Sequence, residues 1–281
     1  MFNIIHEFAE GCYMKSTGSV ILALLLLSIL ILGCSQKENH PPKIVVTLFD
    51  LTDSTKNQDI RNEYCNNMKT VLRTLKGGDV FVAARITDKS YMDMKLLANE
   101  VLPIYESSLN DTDLMAKRNK KKYESALSVE IDNISNSIDS SIGSNQPVKY
   151  SDIMGSISNA AAIFSRYTTS DVFLRHGLIN TKRVAPKKVL IIFSDMLEDS
   201  EQYNFSSMSL SDERIKQVIG QQLKSKQIPD LSGVKVYVVG AAAVNQTKFN
   251  QIKSFWGEYF KEAKADYSVK NYGLSLVTFN E

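Results

Sequence analysis

The chain has 281 residues, 43% of them hydrophobic and 23% charged, with a formal net charge of +2. That is ordinary globular composition, with enough apolar mass for one sizeable core. The charge is too weakly basic for nucleic acid or another polyanion to be the main partner.

Residues 20–33 are almost continuously apolar, yet they fall short of the ~20 residues a spanning helix needs. They suit the hydrophobic region of a signal peptide. The run ends in Ile31, Leu32, Gly33 and Cys34, which resembles a bacterial lipobox, although Leu32 is bulkier than the small residue usual there. The resemblance implies that residues 1–33 are a leader and that Cys34 is the lipidated N-terminus of the mature chain. It also places the rest in the bacterial cell envelope, held to the membrane through the lipid anchor. Ser35 after the cysteine, rather than Asp, favours the outer membrane where the cell has one. Glu7 and Glu10 sit oddly ahead of a signal peptide, so Met14 is the expected start of translation. An uncleaved membrane anchor is the alternative, and it too leaves the remaining chain outside the cytoplasm. With Cys12 lost and Cys34 lipidated, only Cys65 remains, so no disulfide is expected. Cys65 falls in a helical pattern and reads as a small core residue.

Residues 34–42 form a polar, proline-terminated tether. "KIVVTLF", from Lys43, is an unbroken apolar run and predicts a buried strand. Ile60, Tyr64, Met68, Val71, Leu72 and Leu75 recur at helical spacing, and Gly77 and Gly78 end that helix. "DVFVAARI", 79–86, predicts a second strand. "YMDMKLLANEVLPIY", 91–105, reads as a helix interrupted at Pro103. Residues 111–141 are long, polar and helical in character, and the stretch of about 106–149 reads as a helical insertion that contributes little to the core. Its "KRNKKK" run reads as a solvated helix face, with a partner surface or a contact with anionic lipid as the alternatives. Ile153, Ile157, Ala160, Ala161 and Phe164 mark the next helix. "KKVLIIFSDM", 187–196, predicts a buried strand that ends in an acid. Residues 211–226 form an amphipathic helix and "GVKVYVVGAAA" another strand. Phe249, Ile252, Phe255, Trp256, Tyr259, Phe260 and Ala263 form a strongly apolar helix face, and "LSLVTF", 274–279, is expected to close the chain as a last strand.

Strands alternating with helices imply a three-layer, Rossmann-like α/β domain with a mostly parallel central sheet. Ligands bind such sheets beyond the carboxyl ends of the strands, where strand order reverses. Asp50 and Asp195 each end a buried strand, and they face one crevice if those strands are neighbours. Asp50, Thr52 and Ser54 stand at alternate positions, so on an extended strand exit their oxygens point the same way. Hard oxygen donors suit Mg²⁺, Mn²⁺ or Ca²⁺ rather than zinc or copper. A further hydroxyl, Ser151, opens a helix.

An Asp-x-Thr/Ser-x-Ser run after the first strand, a hydroxyl residue opening a mid-chain helix and an Asp ending a later strand resemble a known site. It is the metal-ion-dependent adhesion site of von Willebrand factor type A (VWA) domains, and the resemblance covers residues 43–281 apart from the helical insertion. Thr52 stands where Ser is common, Ser151 where Thr is usual, and Met196 where Gly is common. Each change keeps the ligand oxygen or lies outside the ligand set. The resemblance implies direct metal contacts from Thr52, Ser54 and Ser151, with Asp50 and Asp195 acting largely through water. It leaves the sixth position for an acidic residue on a protein partner, and so implies cation-dependent protein–protein binding rather than catalysis. From the residues alone, Asp53, Ser54 and Thr55 also read as an N-cap for the following helix. Two other functions stay open. One is a metal-free scaffold subunit of a cell-envelope assembly. The other is a metal-dependent phosphohydrolase, because Asp50 followed by Thr also resembles haloacid-dehalogenase-type phosphatases. Those need a second Asp where Thr52 stands. His176 is the only histidine of the exported globular part, and no Ser-His-Asp, His-rich or Gly-rich phosphate motif is present.

Overall fold

Ile44, Val46 and Leu48 point to one face of the first strand, and Val45 and Phe49 to the other; all five are fully buried. An unbroken apolar run becomes such a strand when both faces of its sheet are covered. The strand, β1 (Lys43–Asp50), lies at the centre of a computed structural model that describes residues 41–105, 111–144, 149–169, 185–276 and 279. The leader, Cys34 and His176 lie outside the described residues. Among the described residues no helix is long and apolar enough to cross a membrane.

The other strands are β2 (Val80–Ile86), β3 (Lys95–Val101), β4 (Lys187–Phe193), β5 (Val234–Val239) and β6 (Asp266–Gly273). They form one six-stranded sheet in the order β3-β2-β1-β4-β5-β6, parallel except where β3 pairs antiparallel with β2. Helices α1 (Gln58–Leu72) and α2 (Asp113–Ser144) cover one face through Tyr64, Met68, Val71, Ile134 and Ile138. Helices α3 (Ile153–Thr169), α4 (Asp212–Lys224) and α5 (Gln246–Glu262) cover the other through Ile157, Val218, Phe255, Trp256 and Phe260. This is a three-layer, mostly parallel α/β architecture. β1 has β2 on one side and β4 on the other, so strand order reverses between β1 and β4.

Three expectations are corrected. Residues 95–101 form the antiparallel edge strand β3 and not a helix; Val101 pairs with Val80 and Leu96 with Ala84. The apolar residues of that stretch fit either period, and the open edge of β2 decides between them. The last strand is Asp266–Gly273, upstream of "LSLVTF". It reads as polar because an edge strand is only partly covered, whereas Leu276 and Phe279 pack on the α1 side of the sheet instead. The polar segment is helical as expected, but its second half belongs to the core. Ile134, Ile138 and Ile142 are buried, Lys69 Nζ lies 2.6 Å from Asp139 Oδ2, and Arg61 Nη1 donates to Ile142 O at 3.3 Å. The apolar stripe begins only at Leu127 and runs through Ile131, Ile134, Ile138 and Ile142, so the segment looks polar on average. Cys65 is half-buried on α1, against the same core.

Truncating Ile138 to Ala should therefore destabilise the domain by about 2–4 kcal/mol in urea unfolding. The same change at the exposed Val129 should stay within ~0.5 kcal/mol.

Candidate metal centre

The chain leaves β1 through Asp50, whose side chain is fully buried. Thr52 is extended (φ −81, ψ 179) and precedes a short 3-10 helix, Asp53–Thr55. Asp50 Oδ1 accepts from Thr52 N at 3.1 Å and from Thr52 Oγ1 at 2.6 Å. Thr55 Oγ1 donates to Asp50 O at 2.7 Å, which closes the turn. The first helix is capped by Asn57, whose side chain accepts from Asp59 N at 2.8 Å. Asp53, Ser54 and Thr55 thus do not cap it, which leaves Ser54 exposed at the mouth of the site.

β1 and β4 are neighbours, with Phe49 paired to Phe193, so the chain segment that carries Ser194 and Asp195 emerges beside Asp50. Ser194 Oγ donates to Asp50 Oδ2 at 2.7 Å. Asp195 Oδ1 accepts from Leu197 N at 3.0 Å. Ser151 Oγ lies 3.2 Å from Thr52 Oγ1 and 3.4 Å from Asp50 Oδ1, and Thr52 Oγ1 lies 3.2 Å from Ser54 Oγ. Asp50, Thr52, Ser54, Ser151 and Asp195, drawn from three separate stretches, meet in one cluster at the strand-order reversal.

Residues that sequence reasoning missed hold the cluster in place. Ser151 exchanges two backbone hydrogen bonds with Asp199, at 2.8 and 3.0 Å. Glu198 Oε2 accepts from Ile153 N and Met154 N at 2.9 and 3.1 Å, so a buried carboxyl from the loop after β4 caps α3. Asp152 adds a second cap, accepting from Gly155 N at 2.8 Å. Met196 has φ 66, the left-handed region. Its side chain is fully buried and its carbonyl accepts from Trp256 Nε1 at 2.9 Å on α5. Ser194 was within sight, a hydroxyl next to the acid that ends a buried strand. Glu198 gave no local signal, because its partners lie 44 and 45 residues away.

Burial raises the pKa of Asp50, against the pull of its hydroxyl donors. Burial, and then the charge of Asp50, push Asp195 up to about 7. Arg85, buried on β2, feels Asp50 as a favourable charge, but burial and then Arg61 lower its pKa. Two carboxylates share a poorly solvated site, and a cation between them relieves both desolvation and repulsion. The donors fit a hard ion: cis oxygens on an octahedral Mg²⁺ at about 2.1 Å are ~3.0 Å apart, and the hydroxyl oxygens here are 3.2 Å apart. Among the described residues no group of three or more His, Cys, Asp or Glu side chains gathers, so nothing offers the nitrogen or sulfur set of zinc or copper.

No protein-family model and no curated protein matches the sequence. Solved structures to which this chain is similar include a von Willebrand factor type A protein from Catenulispora acidiphila, 8% identical, covering 80% of this chain and 42% of its own, at a TM-score of 0.35. Proximal thread matrix protein 1 from the mussel byssus is 14% identical, over 75% of this chain and 41% of its own, at a TM-score of 0.33. The same protein with a zinc-occupied MIDAS motif is 13% identical, over 80% of this chain and 46% of its own, also at 0.33. This chain spans less than half the length of these structures. Likeness at that level says nothing about the ion or partner of this chain.

Two measurements check the site. Ser194→Ala leaves a buried Asp50 oxygen without its donor, and should cost about 1–3 kcal/mol in stability. The pH dependence follows from the raised Asp195. Between the ordinary carboxylate range and about 7, the metal-free folded state binds more protons than the unfolded state. Metal-free stability should therefore fall as pH rises through that window. Cation affinity should rise across the same window, because binding releases the proton. Thermal melts from pH 4 to 8, with and without Mg²⁺, read both trends.

Proposed function

We propose that this VWA-like domain binds a divalent cation, Mg²⁺ or else Mn²⁺ or Ca²⁺, and through it an acidic residue on a protein partner. The observation that carries the reading is the convergence of three hydroxyls and two buried carboxyls from three stretches of chain. Thr52, Ser54 and Ser151 would touch the ion directly, and Asp50 and Asp195 would hold it largely through water. The ion would supply the positive charge that draws the partner's carboxylate. Ser54 is exposed, so the open side of the cluster faces solvent. A groove of about 260 Å³ starts at Asp152, the residue after Ser151, and its lining includes Tyr91, Met92, Met154 and Tyr203. Tyr91 and Met92 are 71% and 81% exposed, the kind of apolar rim on which a partner packs. With the lipobox at Cys34, the setting we propose is a lipid-anchored protein of the bacterial cell envelope that presents this site to a partner outside the cytoplasm.

One observation favours the metal-free scaffold instead. Thr52, Ser151 and Ser194 all donate to the Asp50 carboxyl, so the cluster can also stand as a hydrogen-bond network of its own. The same bonds disfavour the phosphohydrolase. A fully buried carboxyl engaged by several donors is poorly placed to attack a phosphate ester.

Calorimetric titration with Mg²⁺, Mn²⁺ and Ca²⁺ separates the readings. The wild type should bind, and at ~100 times the dissociation constant should gain about 2.7 kcal/mol of stability. Asp50→Ala and Asp195→Ala should fold but show neither effect, and no variant should turn over a generic phosphate ester. A wild type that ignores all three ions at millimolar concentration would leave the scaffold reading.

A further inference from the structure

Helix α2 has 32 residues and is ~48 Å long, whereas the eight-residue β1 spans only ~26 Å. Its carboxyl end is fixed near the metal centre, where Arg61 bonds both Ile142 O and Thr55 O. Tyr123 marks the opposite end of the sheet: its hydroxyl donates to Pro103 O at 2.9 Å, just past the end of β3. Val101 of β3 pairs with Val80, the first residue of β2, and Asp79 accepts from Lys43 N, at the first residue of β1. The ten residues that precede Tyr123 in α2 therefore carry the helix up to ~15 Å past the amino ends of the strands. Among the described residues, Tyr105 reaches along this projection, donating to Ala116 O at 3.0 Å.

That projecting end has a specific chemistry. Lys117, Arg118, Lys120, Lys121 and Lys122 are all exposed. Leu114 and Met115 at its tip are 79% and 54% exposed. Asp111, Asp113 and Glu124 are the acids beside them. Asp111 accepts from Asn119, and Glu124 lies 3.9 Å from Lys120. Residues 111–124 thus carry five cations against three acids, a net charge of +2. A single helix end offers little area for a stable protein interface, and lysine is depleted from such interfaces. A collar of lysines behind an apolar tip suits a lipid surface, where the cations meet headgroup phosphates and the apolar side chains enter the interface.

We infer that the amino end of α2 is a contact for an anionic bilayer surface, with the cations seated on headgroups and Leu114 and Met115 dipping below them. The chain enters the sheet at Lys43, at this same end. Eight residues, 35–42, separate Cys34 from Lys43, so a lipid on Cys34 would lie within ~30 Å of it along the chain. A lipid chain and a basic patch together make a two-signal anchor, which holds where one acyl chain alone is marginal. The domain would then stand with its metal centre turned away from the membrane. That last step rests on the envelope reading above, whereas the lipid contact itself does not.

The test is co-sedimentation of the full chain with vesicles of phosphatidylcholine alone and of equal parts phosphatidylcholine and phosphatidylglycerol. The wild type should prefer the anionic vesicles about tenfold, and raised salt should abolish the preference. The variant Lys117→Gln, Arg118→Gln, Lys120→Gln, Lys121→Gln, Lys122→Gln should lose the preference yet bind neutral vesicles as before. Gln is also a good helix former, so the variant keeps its fold. Leu114→Ser with Met115→Ser should weaken binding to the anionic vesicles while leaving its salt dependence. A wild type without anionic preference, or a five-site variant that retains it, would overturn the inference and turn the basic end over to a protein partner. Release of Cys34→Ala from cell membranes tests the envelope reading separately, because the vesicle preference does not depend on that cysteine.

Discussion

Asp50 and Asp195 emerge from adjacent buried strands, and their charges must coexist where water scarcely reaches. Parallel pairing of β1 with β4 makes this unavoidable: with Phe49 opposite Phe193, the two strand exits are side by side. The chain answers with donors. Thr52, Ser151 and Ser194 hydrogen-bond Asp50, while Leu197 N donates to Asp195. Hydrogen bonds moderate the desolvation of a carboxyl without cancelling it, which is why both pKa values stay raised. A proton on Asp195 removes the repulsion below about pH 7, and a divalent cation would offset it above, where the hydroxyl oxygens stand at 3.2 Å spacings that suit its coordination.

The scaffold around this pair is rigid for the same reason. Ser151 cannot move without breaking its bridge to Asp199, nor α3 without uncovering Glu198. Burial, and then Asp152, push Glu198 up to about 8. The loop after β4 therefore positions Asp195, braces Ser151 and caps α3 at once. It is tied in turn to α5 by the bond between Trp256 and Met196 O, inside a cluster of aromatic rings that includes Phe205, Phe255 and Tyr259. A preformed site of this kind loses little freedom on binding an ion, which favours affinity.

The local part of this design was legible in the sequence. The alternation of Asp50, Thr52 and Ser54 is visible in five residues, and the unbroken apolar runs before Asp50 and Asp195 mark buried strand ends. Ser151 followed from its place at a helix start and from the family resemblance. What could not be read locally is what depends on pairing: the register that brings Ser194 onto Asp50, the reach of Glu198 to α3, and the capture of residues 95–101 by the free edge of β2. The last strand was hidden because an edge position asks for little apolar surface. The core role of α2 was hidden because its apolar stripe begins only at Leu127, behind a long basic projection.

The central claim is that the folded chain holds a cation among Thr52, Ser54 and Ser151. The most direct measurement is a crystal structure grown with Mn²⁺ and read by anomalous scattering. The account predicts a peak within coordination distance of all three hydroxyl oxygens, with waters linking it to Asp50 and Asp195. A map with no anomalous peak there, and Asp50 still held by Thr52, Ser151 and Ser194, would contradict it.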